Sequence, residues 1–525
     1  MSEQVINAIV AAPPQAGHRI GFARLDGAST TALTELHAAA QRLARGLRDL
    51  GIGRGDRIGI LASNSAEWVL LDLAALRLGA VTAGFEPGKF DPDPALLARY
   101  RLAVLFTDRP AAGQGIRPVS DVPYLIAGAD PASWLPPVRY EPDDITTIKF
   151  TSGSTGEPKG LAATVGSIDS SISAVQEMFE HRDGDNLFVF LPMSLLQQRY
   201  WIYSALRFGH DVTVSTYEAA FAALAPSNPT VVMAVPAFYE TAKKQIERSA
   251  RGTGSDEALR AAARRLFGDR IRYLWTGSAP ARPSMLAFFT DLGLPIYEGY
   301  GLNETCIVSK NHPRAHREGS VGQVLPGKKV LLDADSVISI YSEHPVSLRY
   351  EYASPGESER VFCADGTVRT GDLGYLDADG FLFIRGRADD VIVLDNGKKV
   401  IVRPLEEYLK ASPAIEECVV CCPAQTHLVA VISPADQTAD AAAITARLAA
   451  ANATFGKDEQ ISGLVIAPEP FSVANGLLTS QFKPRRQRIL ATYQAAIDAA
   501  ARPDRGGPAD RPDQRQPGEA PGHDA

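Results

Sequence analysis

A segment rich in glycine and hydroxyl residues carries the first chemical signal in the chain. It reads TSGSTGEPKG over residues 151–160 and combines three glycines, four hydroxyl side chains and one lysine, Lys159. Glycines allow backbone N–H groups to approach an anion closely, and the hydroxyls add further donors. The segment therefore predicts a phosphate-binding loop, and a simple surface turn is the alternative.

The spacing excludes the commonest phosphate loop. A Walker-type loop needs G-x-x-x-x-G-K followed by Ser or Thr. Here Gly153 and Gly156 stand too close together, and Lys159 is followed by Gly160. A kinase or P-loop ATPase is therefore excluded, and the absence of a G-x-S-x-G elbow disfavours a serine hydrolase.

The elements around this loop alternate between helical and strand patterns. Residues 31–50 place leucines and Ala40 on one helical face, and Gly51 supplies the stop. Residues 56–61 read as a strand, 66–78 as a second helix, and ITTIKF at 145–150 as the strand before the loop. This alternation predicts an α/β fold with a large N-terminal domain of mainly parallel sheets.

The length and spacing of the predicted elements change near residue 388. Shorter elements follow, and they predict a small α+β C-terminal domain. From residue 501 the chain is rich in Pro, Gly, Asp, Arg and Gln, which predicts a disordered tail. The predicted domains are therefore 1–388 and 389–500, with the tail at 501–525.

Composition limits the partners. The 61 acidic residues exceed the 53 Lys and Arg residues, giving a net charge of -8, and this balance predicts no nucleic-acid partner. The most apolar window, 68–85, is interrupted by Asp72 and Arg77, so we expect no transmembrane segment. Three of the five cysteines cluster at 418–422, without further ligands at metal-binding spacing, and they predict a buried strand in a reducing, cytoplasmic setting.

Three later segments join the loop in a recognisable order. They read YEGYGLNET (297–305), RTGDLGYLDADGFLFIRGRADD (369–390) and NGLLTSQFKPRR (475–486). Together with the loop they resemble the adenylate-forming superfamily of acyl-CoA synthetases, acyl-AMP ligases and adenylation domains, over residues 20–495. LPMSLLQQRYW (191–201) and VPAFYE (235–240) are most similar to the long-chain acyl-CoA synthetase branch.

The resemblance implies a two-step reaction with ATP, Mg²⁺ and coenzyme A. A carboxylic acid attacks the α-phosphorus of ATP, pyrophosphate leaves, and the acyl group passes from the acyl-adenylate to CoA. Glu304 would bind magnesium, Tyr300 would stack on adenine, Asp372 would accept both ribose hydroxyls, and Arg387 would add a ribose or phosphate contact. The remaining nucleotide contacts implied are Thr151, Ser152, Gly153, Ser154, Thr155, Gly156, Lys159, Gly277, Ser278, Ala279, Gly301 and Asn303.

In the same family the C-terminal domain is mobile between the two half-reactions. Asp389 matches the hinge position, and Lys483 matches the lysine that bridges the carboxylate and the α-phosphate. Gly397 would line the pantetheine path during thioester formation. Lys159, Glu304 and Lys483 are thus the residues that the resemblance assigns to catalysis.

Three positions depart from the family pattern. Asn303 stands where Thr is usual, Leu195 where the long-chain branch has His, and Ala237 where Arg is frequent. Two alternatives to a CoA ligase therefore stay open. One is an acyl-AMP ligase that passes the acyl group to a carrier protein or another nucleophile, and the other is a non-catalytic nucleotide- or acyl-binding relative.

Overall fold

The computed structural model describes residues 4–130, 135–151, 158–250, 255–396, 398–423, 427–438, 440–479 and 483–501. The chain divides into two compact units, Met1–Asp390 and Val391–Ala525. Within the described residues, none of the helices is both long and apolar enough to cross a bilayer.

The first unit holds most of the strands. They are β1 (Arg19–Arg24), β2 (Gly27–Ala32), β3 (Arg57–Leu61), β4 (Val81–Gly84), β5 (Val104–Thr107), β6 (Ile116–Pro118), β7 (Ile145–Thr151), β8 (Lys159–Thr164), β9 (Asn186–Val189), β10 (Asp211–Ser215), β11 (Val231–Ala234), β12 (Tyr273–Thr276), β13 (Ile296–Leu302), β14 (Cys306–Lys310), β15 (Gln323–Val324), β16 (Lys328–Leu332), β17 (Val337–Ser342), β18 (Val368–Leu376) and β19 (Leu382–Arg387).

Helices connect and cover these strands. They are α1 (Val5–Ala11), α2 (Leu33–Asp49), α3 (Ala66–Leu78), α4 (Pro94–Tyr100), α5 (Val122–Gly128), α6 (Val165–Phe179), α7 (Leu196–Phe208), α8 (Ala220–Ser227), α9 (Pro236–Ala250), α10 (Asp256–Phe267) and α11 (Pro283–Asp291).

Two large sheets organise the unit. In the order β6-β5-β3-β4-β7-β8, the first five strands run parallel and β8 pairs antiparallel with β7. In the order β15-β14-β13-β12-β11-β9-β10-β1-β2, the strands from β13 to β1 run parallel and the edges are antiparallel. The predicted α/β fold with mainly parallel sheets is confirmed. A third sheet, β16-β17-β18-β19, is antiparallel throughout.

The predicted helices form where the sequence pattern placed them. α2 buries its leucine face, and Gly51 follows its end with φ +87°. α3 begins at a Ser65 cap, whose hydroxyl accepts a hydrogen bond from the Trp68 N–H, and it ends at Gly79 with φ +73°. β7 follows as the strand predicted before the loop.

The second unit is a smaller mixed α/β body. Its elements are β20 (Val391–Val393), β21 (Lys399–Ile401), α12 (Val402–Lys410), β22 (Ile415–Cys421), β23 (Leu428–Pro434), α13 (Ala441–Thr454), β24 (Ile461–Ile466), α14 (Arg486–Thr492) and α15 (Gln494–Ala500). Cys418 and Cys421 lie on β22, with Cys418 buried, as predicted for the cysteine cluster. All five cysteines are free thiols, and the described residues contain no cluster of metal-ligating side chains. The predicted tail, apart from Ala501, lies outside the described residues.

A buried ion pair joins the helices to the six-stranded sheet. Arg199 on α7 donates to Asp72 on α3 over 2.8 Å, and their side chains are only 1 % and 4 % exposed. Arg199 also donates to the hydroxyl of Thr147 on β7 at 2.8 Å and to that of Thr82 on β4 at 3.0 Å, and the Tyr203 hydroxyl donates to Asp72. The two helices and two strands therefore share one polar network.

The network predicts a large loss of stability on removal of one charge. Asp72→Asn keeps the shape of the side chain but leaves the Arg199 guanidinium buried without its counter-ion, which costs about 3–5 kcal/mol. Urea unfolding followed by tryptophan fluorescence measures the change, since all four tryptophans precede residue 390. Arg42→Gln, on the exposed side of α2, is the control and should change the free energy of unfolding by less than about 0.5 kcal/mol. A comparable loss of unfolding free energy in both variants would contradict the stabilising role of the Asp72–Arg199 ion pair.

Candidate nucleotide site

The predicted phosphate loop connects two antiparallel strands. Thr151 ends β7 and Lys159 begins β8, and the two residues are partners in the ladder. Ser152, Gly153, Ser154, Thr155 and Gly156 lie outside the described residues. The structure thus fixes both ends of the loop at one end of the six-stranded sheet.

Lys159 is held in a specific position. Its ammonium forms a 2.8 Å salt bridge with Oε1 of Glu357, and the two side chains are 13 % and 11 % exposed. The ammonium also lies 5.2 Å from the centre of the Tyr350 ring. The salt bridge lowers the pKa of Glu357, so this carboxylate is charged at neutral pH. A phosphate that binds Lys159 must therefore compete with an existing carboxylate.

Glu304 lies in the turn between β13 and β14. Its Oε1 accepts a 2.7 Å hydrogen bond from the hydroxyl of Tyr350, the residue that also covers Lys159. Burial and the nearby Glu304 charge raise the pKa of Tyr350, which keeps the phenol protonated. Tyr350 therefore links Glu304, the predicted magnesium ligand, to Lys159, the predicted phosphate ligand.

Close backbone packing shapes the same turn. A side chain at Gly301 would place its Cβ 1.9 Å from the carbonyl oxygen of Cys306, so only glycine fits there. The ladder between β13 and β14 shifts register between Tyr300 and Gly301. Asn303 is exposed and Glu304 half-buried within this turn, so the amide at position 303 stays accessible to a ligand.

The donor set around Glu304 fits magnesium held jointly with phosphate. The described residues contain no group of three metal-ligating side chains. Mg²⁺ is usually held by one or two carboxylates together with substrate phosphates and water, and does not need an all-protein cage. A single half-buried carboxylate beside a phosphate loop meets that requirement.

A second cluster joins the nine-stranded sheet to the third sheet. The Tyr300 hydroxyl donates to Oδ2 of Asp372 at 2.5 Å, and Arg387 donates to Oδ1 at 3.2 Å. Asp372 and Arg387 are direct partners across β18 and β19. Burial, with the Asp372 charge, raises the pKa of Tyr300, so its hydroxyl is a stable donor. Both oxygens of Asp372 keep lone pairs that can accept from a ligand's hydroxyls.

The remaining nucleotide residue predictions fall beside this cluster. Gly277, Ser278 and Ala279 follow β12, which is parallel to and hydrogen-bonded with β13. Ser278 has φ +69°, a conformation that non-glycine residues rarely adopt and that often marks functional turns. The carbonyl of Gly299 on β13 would lie 3.2 Å from a Cβ at Gly277, so the two segments are in close backbone contact.

The residues predicted for the hinge, for adenylation from the C-terminal domain and for thioester formation are distributed over both units. Asp389 lies in a short 3₁₀ turn, Ala388–Asp390, at the end of the first unit and accepts a 3.0 Å hydrogen bond from Nε of Arg387. Lys483 belongs to the second unit, where its side chain is exposed and its carbonyl accepts from the Thr479 N–H at 2.8 Å. Gly397 lies outside the described residues.

Several residues near the site were missed from the sequence. Tyr350 and Glu357 lie in an irregular segment with no motif, and only the fold brings them to Lys159 and Glu304. Lys149 carried a usable signal, since it is a charged residue inside the otherwise apolar strand ITTIKF. It is 4 % exposed, and its charge interacts with Glu304 and Cys306.

Two family models match the chain. The model described as AMP-binding enzyme matches residues 14–337, and the model of the AMP-binding enzyme C-terminal domain matches residues 389–503. The first match alone covers more than half of the chain.

Curated relatives include long-chain-fatty-acid–CoA ligases. FadD15 of Mycobacterium bovis is 28 % identical, and the alignment covers 91 % of this chain and 94 % of the relative. FadD13 of Mycobacterium tuberculosis is also 28 % identical, over 74 % of this chain and 79 % of the relative.

Solved structures share the fold at low identity. o-Succinylbenzoate CoA synthetase from Bacillus subtilis, in complex with the acyl-adenylate intermediate, gives a TM-score of 0.73 at 21 % identity and covers 93 % of this chain and 98 % of that chain. The anthranilate CoA ligase AuaEII, in complex with anthranoyl-AMP, gives a TM-score of 0.76 at 20 % identity. The match covers 95 % of this chain and 98 % of that chain. With both family models matched in order along one chain, the protein belongs to the AMP-binding enzyme family.

Proposed function

We propose that the protein is an AMP-forming acid–thiol ligase that activates a carboxylic acid with ATP and transfers the acyl group to coenzyme A. The observation that supports this most directly is the pair of contacts made by β13 and the turn after it. Tyr300 on β13 bonds Asp372, and Glu304 in the turn bonds Tyr350, whose ring lies beside the Lys159 ammonium. Asp372, which would bind ribose hydroxyls, and Lys159, which would bind phosphate, thus lie on either side of Glu304, which would bind magnesium. A magnesium-bound ATP molecule presents its ribose, its metal ion and its outer phosphates in the same order.

The first step needs positioning and charge neutralisation more than proton transfer. A carboxylic acid is already ionised near neutral pH and needs no general base. Lys159 and the hydroxyls of residues 151–155 hold the β- and γ-phosphates, which leave as pyrophosphate. Magnesium, held by Glu304 and the phosphates, supplies charge neutralisation when bound.

The nucleoside end is held by the second cluster. Asp372 accepts the ribose hydroxyls, while Arg387 fixes the Asp372 carboxylate and adds a contact to ribose or phosphate. The face of Tyr300 and the segment Gly277–Ala279 border the adenine. Asn303 donates to a phosphate from the turn, as its exposed amide allows.

The second unit serves both half-reactions as a mobile domain. We assign the domain boundary between residues 388 and 389, with Asp389 as the hinge, Lys483 as the lysine for adenylation and Gly397 on the pantetheine path. The 3₁₀ turn Ala388–Asp390 is the last element before the second unit, which suits a hinge at a chain position between elements. We place the enzyme in the cytoplasm, in agreement with its five free thiols.

Pyrophosphate exchange tests the proposed function. Labelled pyrophosphate should enter ATP only when a suitable carboxylic acid is present, and addition of CoA should then yield acyl-CoA and AMP. Exchange without any CoA thioester would instead identify an acyl-AMP ligase with another acceptor. No exchange with aliphatic, aromatic or dicarboxylic acids would exclude the ligase and favour a non-catalytic nucleotide-binding protein.

Lys483→Ala should separate the two half-reactions. Loss of the ammonium removes the charge that bridges carboxylate and α-phosphate, so exchange should fall by about 100-fold or more. Thioester formation from supplied acyl-adenylate and CoA should stay within about threefold of the wild-type rate. The matched control is Arg485→Ala, an exposed cation two residues away in the same basic run. Normal exchange in the Lys483 variant would remove this residue from the mechanism.

Glu357→Gln should tighten ATP binding. Glu357 competes with phosphate for Lys159, while Tyr350 and the β7–β8 ladder keep the lysine in place without it. Removing one competing charge should lower the KM for ATP by about fivefold.

The measurement is the ATP dependence of exchange at saturating acid. Glu359→Gln, an exposed carboxylate two residues further on, is the control and should leave this KM unchanged. A raised KM in the Glu357 variant would show that the carboxylate orients Lys159 instead of competing for it.

A further inference from the structure

A cavity opens at the amino ends of β3, β4 and β7 in the six-stranded sheet. Its volume is about 280 Å³, near the lower end of the range for small-molecule sites. Ile145 begins β7 beside the cavity, and Thr151 ends that strand about 20 Å away. Ile148 lines the cavity from the face of β7 opposite to Thr147, because side chains alternate along a strand. Of the described residues that line the cavity, none is assigned to the nucleotide.

Backbone hydrogen bonds make one wall of the cavity rigid. The Gly55 N–H donates to the carbonyl of Gly79 at 2.9 Å, and the Val81 N–H donates to the carbonyl of Asp56 at 2.8 Å. The stem of Arg54 packs closely on Gly79, because a Cβ at position 79 would lie 3.0 Å from its Cγ. The loop before β3 is therefore fixed to the end of α3 and the start of β4, and this wall is formed before any ligand binds.

Two long ion pairs face the cavity. Nη2 of Arg54 lies 3.4 Å from Oδ2 of Asp144, and Nη2 of Arg57 lies 3.9 Å from Oε2 of Glu351. A charge-assisted bond between a guanidinium and a carboxylate normally measures about 2.7–2.9 Å, as the 2.8 Å pair of Arg199 shows. Both guanidinium groups can therefore bond an anion more closely than they bond their present partners.

The two carboxylates at the cavity also have other partners. Oδ2 of Asp144 accepts a 2.8 Å hydrogen bond from the Glu141 N–H, and Oε1 of Glu351 lies 3.5 Å from Nε of Arg349. Arg57 is only 24 % exposed, so water and salt screen its charge weakly. Three guanidinium groups thus face two carboxylates, and one further negative charge balances them.

Apolar side chains complete the lining and limit the kind of anion. They are Val81, Ile145, Ile148 and Ala162. An inorganic anion would leave these side chains against water, whereas an organic anion with a compact apolar body would bury them. The chemistry of the cavity therefore suits one oxyanion charge on a small apolar body, which carboxylates, sulfonates and phosphate diesters share.

One wall of the cavity belongs to the segment that positions Lys159. Glu351 exchanges two backbone hydrogen bonds with Gly160, at 2.9 and 2.7 Å. The preceding residue, Tyr350, lies against the Lys159 ammonium and donates to Glu304. A displacement of Glu351 therefore moves a residue that contacts both the predicted phosphate ligand and the predicted magnesium ligand.

Arg57 holds the same segment from within the cavity. Its Nη1 donates to the hydroxyl of Tyr352 and, at 3.3 Å, to the carbonyl of Tyr100. Tyr352 has φ +64°, a conformation that non-glycine residues rarely adopt. The bond from Arg57 therefore helps to keep Tyr352, next to Glu351, in an unfavourable backbone conformation.

We propose that the cavity binds a compact organic monoanion through Arg54 and Arg57, and that the bound anion weakens ATP binding at Lys159. The anion repels the Glu351 carboxylate and draws Arg57 away from Tyr352, so the segment loses contacts that hold it on β8. Because the coupling is reciprocal, ATP weakens binding of the anion by the same factor. The inference rests on the proposed function only for the identity of the nucleotide at Lys159.

Fluorine NMR titration with 4-fluorobenzenesulfonate, in the absence of nucleotide, tests the site. A sulfonate is used because a carboxylate would also enter the site of the acid that is activated. We expect saturable binding with a Kd on the order of 1 mM. Arg57→Met should weaken binding at least about tenfold, and Arg54→Met, at a more exposed position, at least about threefold. Arg54→Met keeps the test valid even where Arg57→Met is unstable.

Two control variants separate the cavity from the phosphate loop and from general effects of charge. Lys159→Met and Arg101→Met should leave the Kd of the probe within about twofold of the wild-type value. Arg101 is exposed and is not among the described residues that line the cavity. Loss of binding in Lys159→Met would place the anion in the phosphate loop and overturn the proposal. So would wild-type binding by both arginine variants, or no saturation at about 10 mM probe.

Further probes define the class of anion. The part of 4-fluorobenzoate binding that depends on Arg57 should equal that of the sulfonate, since both anions carry one charge. Phenyl phosphate carries close to two charges near neutral pH, so the carboxylates of the cavity should weaken its binding. Inorganic phosphate should bind more weakly still, because it lacks an apolar body. Tighter binding of inorganic phosphate than of the sulfonate would overturn the assignment of an organic monoanion.

Equilibrium dialysis with labelled ATP and magnesium measures the coupling without catalysis. A saturating concentration of 4-fluorobenzenesulfonate should raise the Kd for ATP about fivefold in the wild type. The same concentration should leave this Kd nearly unchanged in Arg57→Met. An unchanged Kd in the wild type would overturn the coupling. A protein that shows the coupling but exchanges no pyrophosphate with any acid would overturn the ligase assignment and support the inference.

Discussion

The buried pair between Asp72 and Arg199 is the constraint on which the site depends. It joins α3 and α7 to β4 and β7 through a network that includes two threonine hydroxyls. A buried ion pair tolerates little displacement, because its attraction offsets desolvation only when the geometry is maintained. Thr147 is one partner, and the same face of β7 carries Lys149 and then Thr151. The position of Thr151, at which the phosphate loop begins, thus depends on a buried charge pair that contacts the same strand at Thr147.

β13 and the turn after it connect the three sheets of the first unit. Tyr300 bonds Asp372 on the third sheet, and Glu304 accepts from Tyr350, whose ring covers Lys159 on the six-stranded sheet. Lys159, Glu304 and Asp372 each already have a partner within the protein. Binding of a nucleotide therefore exchanges one set of polar contacts for another, which limits the net gain in free energy. For an enzyme that must release pyrophosphate and AMP in every cycle, such an exchange favours turnover over tight binding.

Local pattern predicted much of the fold but only part of the site. α2 and α3 followed from apolar periodicity with a glycine stop, and β7 followed from its apolar run, because those signals are local. The pairing of Lys159 with Glu357 joins residues about 200 positions apart in the sequence, and no periodicity encodes such a contact. Lys149 was visible as a charge in an apolar strand, yet its burial depends on elements distant in the sequence that only the fold brings together.

Two departures from the family pattern replace polar side chains with apolar ones. Leu195 precedes α7 and Ala237 lies in α9, and the two replace the His and Arg of the family pattern with apolar side chains. Lys149 has the opposite character, since it adds a cation where a strand core is normally apolar. Burial penalises that cation in every state without a counter-ion, and Cys306 and Glu304 offset only part of the cost.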